Sequence, residues 1–238
     1  LIIEEAMSVL EGVLVDFDNT LHDTDRKFIE KFDGLFGLDG KTLYEIYLFK
    51  IHRELIHRQF SNKHWDLRFH CKLLLNFLNK EFDENLANEF LTRFREAEEE
   101  CWSNPVYFED TIPFLDSLKS RGYKICLSTG INAREKAKGI ERFVSKKYFS
   151  YAFGEDQVLY SKTDPSFYKK ILKIIKASPS ETVSIGDTIT HDIIPAKAVG
   201  IRTIWLNRKN KKFSFKDSGK PDFEVKDLYE ATQVLESL

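Results

Sequence analysis

Short apolar, β-rich runs that alternate with amphipathic helical patterns constrain the fold of this 238-residue chain most strongly. Four runs are clear, and a fifth, weaker run follows a helical pattern. The clear runs are Gly12–Phe17, Tyr123–Ser128, Thr182–Ile185 and Arg202–Leu206, and the weaker one is Tyr148–Phe153. Helical patterns over 110–120, 165–176 and 190–199 precede the last three clear runs, and one over 133–144 precedes the weaker run. Strands that alternate with helices of this length predict βαβ units and a mainly parallel sheet.

The stretch from about Leu21 to Asn104 has a different pattern, because it contains no convincing strand. Three apolar stripes at helical spacing run through it, with Asp83 as the expected N-cap of the third. The stripes are Leu43, Ile46, Tyr47, Ile51 and Leu55; Phe69, Leu73, Phe77 and Leu78; and Leu86, Phe90, Phe94, Ala97 and Cys101. We therefore predict an all-helical domain at 22–104, inserted into an α/β core formed by 1–21 and 105–238.

Composition and charge exclude several classes of protein. With 42% hydrophobic residues and a formal net charge of −2, the chain resembles neither a disordered protein nor a nucleic-acid binder. Its apolar runs are too short for a bilayer span, and Glu4 and Glu5 stand where a signal peptide would be basic. Three widely spaced cysteines suit a reducing compartment. We expect a cytoplasmic protein with no membrane or nucleic-acid partner.

Polar residues follow the predicted strands where open parallel sheets bind ligands. Asp16 and Asp18 follow the first strand, and Ser128 ends the second with Thr129 beside it. Lys162 precedes a helix, and the remaining carboxylates come after the next strand, at Asp187 and Asp192. Residues two apart on a strand share a face, so Asp16 and Asp18 are expected to point into one site.

The charges of this set predict a cation. Two carboxylates about 4 Å apart repel by ~4 kcal/mol at an effective dielectric of about 20, so four of them at one edge need positive charge. Lys162 supplies one charge, and a divalent cation would supply two more. An all-oxygen ligand set favours Mg²⁺ or a close relative. Such a site attracts a phosphate, and a carboxylate held beside the phosphorus is suited to attack it.

Taken together, these motifs resemble the haloacid dehalogenase superfamily of hydrolases, in particular its phosphatase branch with an α-helical cap. The D-x-D-x-T motif of the family matches Asp16–Thr20, its strand followed by Ser or Thr matches Ile125–Ser128, and its lysine matches Lys162. The G-D-x-x-x-x-D motif matches Gly186–Asp192. The resemblance implies a doubly wound, Rossmann-like core. It covers the core region, while the helical insertion carries no matching motif.

The resemblance also implies roles for individual residues. Asp16 resembles the nucleophile, and Asp18 resembles the acid/base that protonates the leaving oxygen and then activates water. The family's Mg²⁺ would be bound by the carboxylate of Asp16, the backbone carbonyl of Asp18 and the side chain of Asp187, with Asp192 close by or acting through water. Ser128 and Lys162 resemble the phosphate-binding residues, assisted by the backbone amide of Thr129.

The function expected from the resemblance is Mg²⁺-dependent hydrolysis of a small-molecule phosphomonoester, with a nucleotide or sugar phosphate slightly favoured. A 2-haloacid dehalogenase and a phosphomutase of the same superfamily are the alternatives. Asp18 argues against the dehalogenase, because that reaction needs no acid there, while only product analysis separates a mutase. The chain departs from many relatives at Thr129 and Thr163, where they carry Asn and Pro, and neither change removes a reacting group.

Three further features carry weaker functional signals. The helical region contains His52, His57, His64 and His70, which are five, seven and six residues apart. Metal-binding pairs on an α-helix are spaced three or four apart, so we expect packed or solvated histidines rather than a zinc site. The basic run 208–220 is expected to be a solvated loop. His191 lies between Asp187 and Asp192 in the sequence. It either lines the site or is only a residue at the start of the helix.

Overall fold

A computed structural model of the chain describes residues 10–213 and 219–238. Glu4 and Glu5, used above for the targeting prediction, and part of the basic run 208–220 lie outside these residues. The described chain forms two compact units, one of residues 10–23 with 107–213 and 219–238, the other of residues 24–106. Within the described residues, each helix is too short or too polar to span a bilayer.

The first unit is built on a six-stranded parallel sheet with the order β3-β2-β1-β4-β5-β6. The strands are β1 (Gly12–Val15), β2 (Lys124–Ser128), β3 (Tyr151–Phe153), β4 (Thr182–Gly186), β5 (Arg202–Leu206) and β6 (Phe223–Val225). In the register, Val15 pairs with Leu127 on one side and Ile185 on the other. The predicted α/β class and parallel sheet are confirmed, and β6 is a strand that the sequence analysis did not predict.

Helices connect these strands and shield the sheet. They are α6 (Thr111–Ser120), α7 (Ala133–Val144), α8 (Glu155–Val158), α9 (Pro165–Ile175), α10 (Ile194–Lys197) and α11 (Leu228–Glu236). One buried cluster joins Leu14 and Cys126 of the sheet to Tyr168 and Ile171 of α9. The helix predicted over 190–199 is instead a π-helical turn, Ile189–Ile193, followed by the short α10.

β1 ends two residues earlier than predicted, because the backbone turns sharply after Asp16. The carbonyl oxygen of Phe17 accepts hydrogen bonds from the backbone amides of Thr20, Leu21 and His22 at 3.0–3.3 Å. Asn19 adopts a left-handed conformation (φ 59°), which Asn tolerates better than most residues. Asp18 therefore lies in this turn and not in the strand.

The second unit is helical in the described residues. It contains α1 (Thr24–Phe32), α2 (Gly40–Glu45), a π-helix (Ile46–Ile56), α3 (His57–Gln59), α4 (Leu67–Phe77) and α5 (Glu84–Ser103), with short 3₁₀ turns at Leu35–Gly37 and Ser61–Lys63. Asp83 caps α5 as predicted, accepting from the amides of Asn85 and Leu86. Aromatic rings dominate its core, where Phe32, Tyr47 and Phe90 pack within 6 Å of one another.

The segment Ile46–Ile56 forms a π-helix, whereas the apolar stripe predicted an α-helix there. The apolar stripe predicts that Ile51 and Leu55, four residues apart, share the buried face. In the structure Ile51 and Ile56 are the fully buried pair, five residues apart, and Leu55 is only partly buried. A π-helix makes i→i+5 hydrogen bonds, so residues five apart lie on the same face.

Candidate active site

Asp16 lies at the carboxyl end of the central strand β1. Its backbone amide donates to the carbonyl of Ile185 at 2.9 Å, which continues the pairing of β1 with β4 by one residue. The residue is buried, with 5% of its surface exposed. Because β1 is flanked by β2 and β4, the Asp16 carboxylate lies between the ends of these neighbouring strands.

The end of β4 brings two further carboxylates to the same place. Asp187 follows Gly186 directly, and the π-helical turn returns Asp192 to the strand end. The Oδ2 atom of Asp192 accepts from the backbone amide of Thr188 at 2.9 Å. A Cβ atom on Gly186 would lie 2.2 Å from Cγ of Asp192, so only glycine allows this approach.

Asp16, Asp187 and Asp192 together form an all-oxygen site. Each offers a carboxylate oxygen, and these oxygens lie within 4.8 Å of one another. Hard divalent cations such as Mg²⁺ prefer this type of ligand, and no softer donor belongs to this set. The three carboxylates therefore fit a hard divalent cation.

Lys162, from the loop before α9, is the buried counter-charge of this set. Its Nζ atom donates to Oδ1 of Asp16 at 2.5 Å and to the backbone carbonyl of Ser128 at 2.7 Å. It also lies 2.5 Å from Oδ1 of Asp192, as an ion pair. The backbone amide of Lys162 donates to Glu155 at 2.7 Å, which anchors the loop. One ammonium thus joins the ends of β1, β2 and β4.

The protein alone leaves Asp16 in an unfavourable environment for a carboxylate. Burial raises its pKa well above the usual value, Lys162 lowers it, and the carboxylates of Asp192, Asp18 and Asp187 raise it further. Burial opposes the charge of Lys162, but Asp16 and Asp192 outweigh it and hold the lysine pKa above its usual value. More positive charge at this place would ionise Asp16, which agrees with the fit of a divalent cation.

Two hydrogen bonds hold the side chain of Asp18, which does not belong to the three-carboxylate set. Its Oδ2 atom accepts from Nζ of Lys136 at 2.6 Å and from Oγ1 of Thr129 at 3.1 Å. The Lys136 ammonium also donates to Thr129 Oγ1 at 3.1 Å, so the three groups form a closed network. The carboxylate of Asp18 stays 36% exposed while the Lys136 side chain is 8% exposed. Asp18 therefore combines a restrained orientation with access to solvent.

The backbone amide of Thr129, which was expected to contact a phosphate, has a backbone partner in this structure. It donates to the carbonyl of Phe153 at 3.0 Å, which continues the pairing of β2 with β3, and its phosphate-binding role stays a prediction. The side chain of Thr129 instead serves Asp18. Ser128 lies buried at the end of β2, with its carbonyl on Lys162, and its phosphate-binding role stays a prediction.

His191 lies in the π-helical turn, next to Asp192. Its Nδ1 atom lies 3.1 Å from the hydroxyl of Thr190, and its carbonyl accepts from Tyr168 at 2.7 Å. These contacts describe a residue that is packed into its own turn, so they assign it no chemical role.

A sequence model of the haloacid dehalogenase-like hydrolases matches residues 13–206, well over half of the chain. The chain belongs to this family. Pyrophosphatase PpaX of Bacillus thuringiensis is 24% identical over 230 residues, covering 96% of this chain and 98% of its own length. This relative and the chain thus match over nearly their whole lengths.

Solved structures show the same fold. The HAD-hydrolase YfnB of Bacillus subtilis, bound to magnesium, superposes with a TM-score of 0.78 at 18% identity, covering 96% of this chain and 99% of its own. The L-2-haloacid dehalogenase of Xanthobacter autotrophicus gives 0.72 at 14% identity, covering 97% and 100%. A HAD-hydrolase and a haloacid dehalogenase thus share this architecture. The expectation of a hydrolase is confirmed by the family.

Two lysines near the site of this family member were missed by the sequence analysis. Lys136 pairs with Asp18. The Nζ atom of Lys211, whose side chain is 40% exposed, lies 3.6 Å from Oδ2 of Asp187. Lys136 does leave a signal in the sequence. It lies on the apolar face of α7 with Ala133, Ala137 and Ile140, which are all buried. A lysine on such a face needs a partner, because burying an unpaired charge is costly.

Proposed function

We propose that this hydrolase is a Mg²⁺-dependent phosphatase that cleaves a small-molecule phosphomonoester through a phosphoaspartyl intermediate on Asp16. The observation that supports this most directly is the convergence of Asp16, Asp187, Asp192 and Lys162 at one edge of the sheet. Three carboxylates with one buried ammonium suit a divalent cation and the anionic oxygens of a phosphate. Mg²⁺, when bound, would supply the positive charge that lets Asp16 act as a carboxylate.

In the first step, an Asp16 carboxylate oxygen attacks the phosphorus and the bond to the ester oxygen breaks. Asp18 donates a proton to that departing oxygen, so the product leaves as an alcohol. In the second step, Asp18 takes a proton from water, which attacks the phosphorus and releases inorganic phosphate and the Asp16 carboxylate. The Lys162 ammonium stabilises the negative charge beside Asp16 in both steps. The two hydrogen bonds to Asp18 support this division of roles, since a general acid must be oriented towards its proton acceptor.

Relatives widen the range of substrates to be tested. Those named pyrophosphatase PpaX cover nearly the whole chain, so inorganic pyrophosphate belongs beside nucleotide and sugar phosphates in a substrate panel. We propose that the helical unit 24–106 serves as the family's cap and sets the choice of substrate. A dehalogenase function is less favoured, because a departing halide needs no proton from Asp18.

We further propose a cytoplasmic location. The thiols of Cys71, Cys101 and Cys126 are buried and form no disulfide, which suits a compartment that keeps thiols reduced.

The test is release of phosphate from p-nitrophenyl phosphate, inorganic pyrophosphate and a panel of metabolite phosphates, with and without Mg²⁺. We expect Mg²⁺-dependent release that Asp16→Asn abolishes while the protein stays folded. Asp227→Asn is the matched control, because it makes the same chemical change at the N-cap of α11, where Asn caps as well as Asp. Retained turnover in Asp16→Asn would disprove the nucleophile assignment. Metal-independent release of halide from a chloro-acid would favour the dehalogenase instead.

A further inference from the structure

Three histidines of the helical unit converge, although their spacing in the sequence suggested that they would not. His52 lies in the π-helix and His57 follows its last residue, with the backbone amide of His57 donating to the carbonyl of His52. This i→i+5 bond places the two side chains one π-turn apart on the same face. The α-helical spacing rule used above therefore does not apply to this pair. Their ring centroids lie 4.4 Å apart.

His64, the residue that follows the 3₁₀ turn before α4, completes the set. Its ring centroid lies 5.3 Å from that of His52 and 5.0 Å from that of His57. One ring nitrogen from each of the three histidines lies within 4.8 Å of the others. Zinc binds imidazole nitrogens at about 2.0–2.1 Å, so tetrahedral ligands are ~3.3 Å apart. Rotation of the half-buried rings about their side-chain bonds can make up this difference.

The fourth histidine supports the cluster and does not belong to the ligand set. Nδ1 of His70 lies 3.1 Å from the hydroxyl of Tyr47, and its Nε2 lies 3.1 Å from the backbone carbonyl of Lys63. Both ring nitrogens thus have protein partners. The second contact holds the backbone of the residue before His64, which fixes where the 3₁₀ turn presents that ring.

The donor atoms indicate which class of metal the cluster would bind. The three ligand candidates differ sharply from the carboxylate set of the active site. Nitrogen donors suit zinc, nickel, cobalt and copper, whereas magnesium prefers oxygen.

We propose that His52, His57 and His64 form a second metal site, for a transition-metal ion of the zinc type, within the helical unit. Three histidines leave a fourth position for water or another ligand. The ion would connect the end of the π-helix to the start of α4 and stabilise the loop between them. This inference is independent of the phosphatase proposal, because it concerns different residues and a different class of metal.

The test uses the full chain with Mg²⁺ in excess, so that the carboxylate set is occupied. Co²⁺ is titrated as a spectroscopic probe and then displaced by Zn²⁺. We expect one equivalent of Co²⁺ with the strong visible absorption of a four-coordinate, nitrogen-ligated ion. His57→Gln and His64→Gln should each weaken binding at least about tenfold, since even residues that only support a metal ligand have effects of this size. Asp187→Asn alters the other site and should keep the absorption.

A second measurement does not depend on the folding of variants. X-ray absorption at the zinc edge of the wild-type protein, loaded with one equivalent of Zn²⁺, should show three imidazole ligands. Zinc should also raise the Tm of the wild-type protein but not that of His57→Gln. Absence of the cobalt absorption in the wild-type protein, its persistence in both histidine variants, or a zinc environment of oxygen ligands would overturn the proposal.

Discussion

Replacing Lys136 with methionine tests how the general acid is oriented. The change keeps the length and much of the apolar contact of the side chain but removes the ammonium that donates to Asp18 at 2.6 Å. At an effective dielectric of about 20, unit charges at this separation attract by about 6 kcal/mol. Desolvation offsets most of this, so a charged hydrogen bond contributes roughly 1.5–3 kcal/mol net. Because the Asp18 side chain is 36% exposed, we expect the Lys136–Asp18 hydrogen bond to contribute about 2 kcal/mol, near the lower end of that range.

This energy converts into a rate that depends on the leaving group. If the restraint acts in the transition state, losing about 2 kcal/mol slows the first step roughly 30-fold. The loss should appear with alkyl phosphates, whose oxygen must be protonated as it leaves. It should be small, within about threefold, with p-nitrophenyl phosphate, because nitrophenolate is a good leaving group without a proton.

The assay is single-turnover release of the leaving group, compared across esters of increasing leaving-group pKa. Lys138→Met is the matched control, because it makes the same change at an exposed position of the same helix. Lys136→Arg should recover part of the rate. An equal loss for every ester, or a loss confined to KM, would contradict this role, because either would mean that Lys136 acts through folding or substrate binding.

Three further outcomes follow from other contacts. Gly186→Ala should abolish Mg²⁺-dependent turnover with the fold retained by circular dichroism, because the new Cβ overlaps Asp192; unchanged kcat would contradict this. Arg208→Lys should cost about 2–4 kcal/mol of unfolding free energy in urea, because it breaks the two-point contact of 2.8 Å bonds to buried Asp110. Burial lowers the pKa of His57 on folding, so protonation of this residue favours the unfolded chain. The stability contributed by the neutral His57 side chain is present above about pH 6.5 and is lost as pH falls towards about 4. His57→Gln should flatten urea stability across that window by about 2 kcal/mol, after allowance for partial exposure, and an unchanged slope would refute it.

The convergence of the carboxylates could be predicted from the sequence, because parallel strands share a direction. The carboxyl ends of all strands in a parallel sheet lie at one edge, so the residues after β1 and β4 were expected there. Asp16 and Asp187 needed no further information. Lys162 was found in the same way, because it precedes a helix at the start of a βα unit. These predictions depend on the order of elements and tolerate errors of a residue or two at their ends.

The network around Asp18 was harder to predict, because it depends on side-chain direction. Thr129 was assigned a phosphate contact through its amide, but pairing of β2 with β3 uses that amide and leaves the hydroxyl for Asp18. The weaker strand had been recognised, but its register with β2 had not. Lys136 lies on a face whose apolar residues were visible, and a rule that buried lysines need partners would have found it.

Two π-helical segments account for the largest departures from the predicted structure, and both carry candidate ligands. In Ile46–Ile56 the wider turn brings His52 and His57 together, and in Ile189–Ile193 it returns Asp192 to Gly186. A π-turn inserts one residue relative to an α-turn, so side chains that an α-helix would separate share a face. Such turns are costly and occur often at functional sites. A spacing of five residues can therefore indicate a ligand pair as well as a spacing of three or four does. This holds where apolar residues also repeat every five positions, as Ile51 and Ile56 do here.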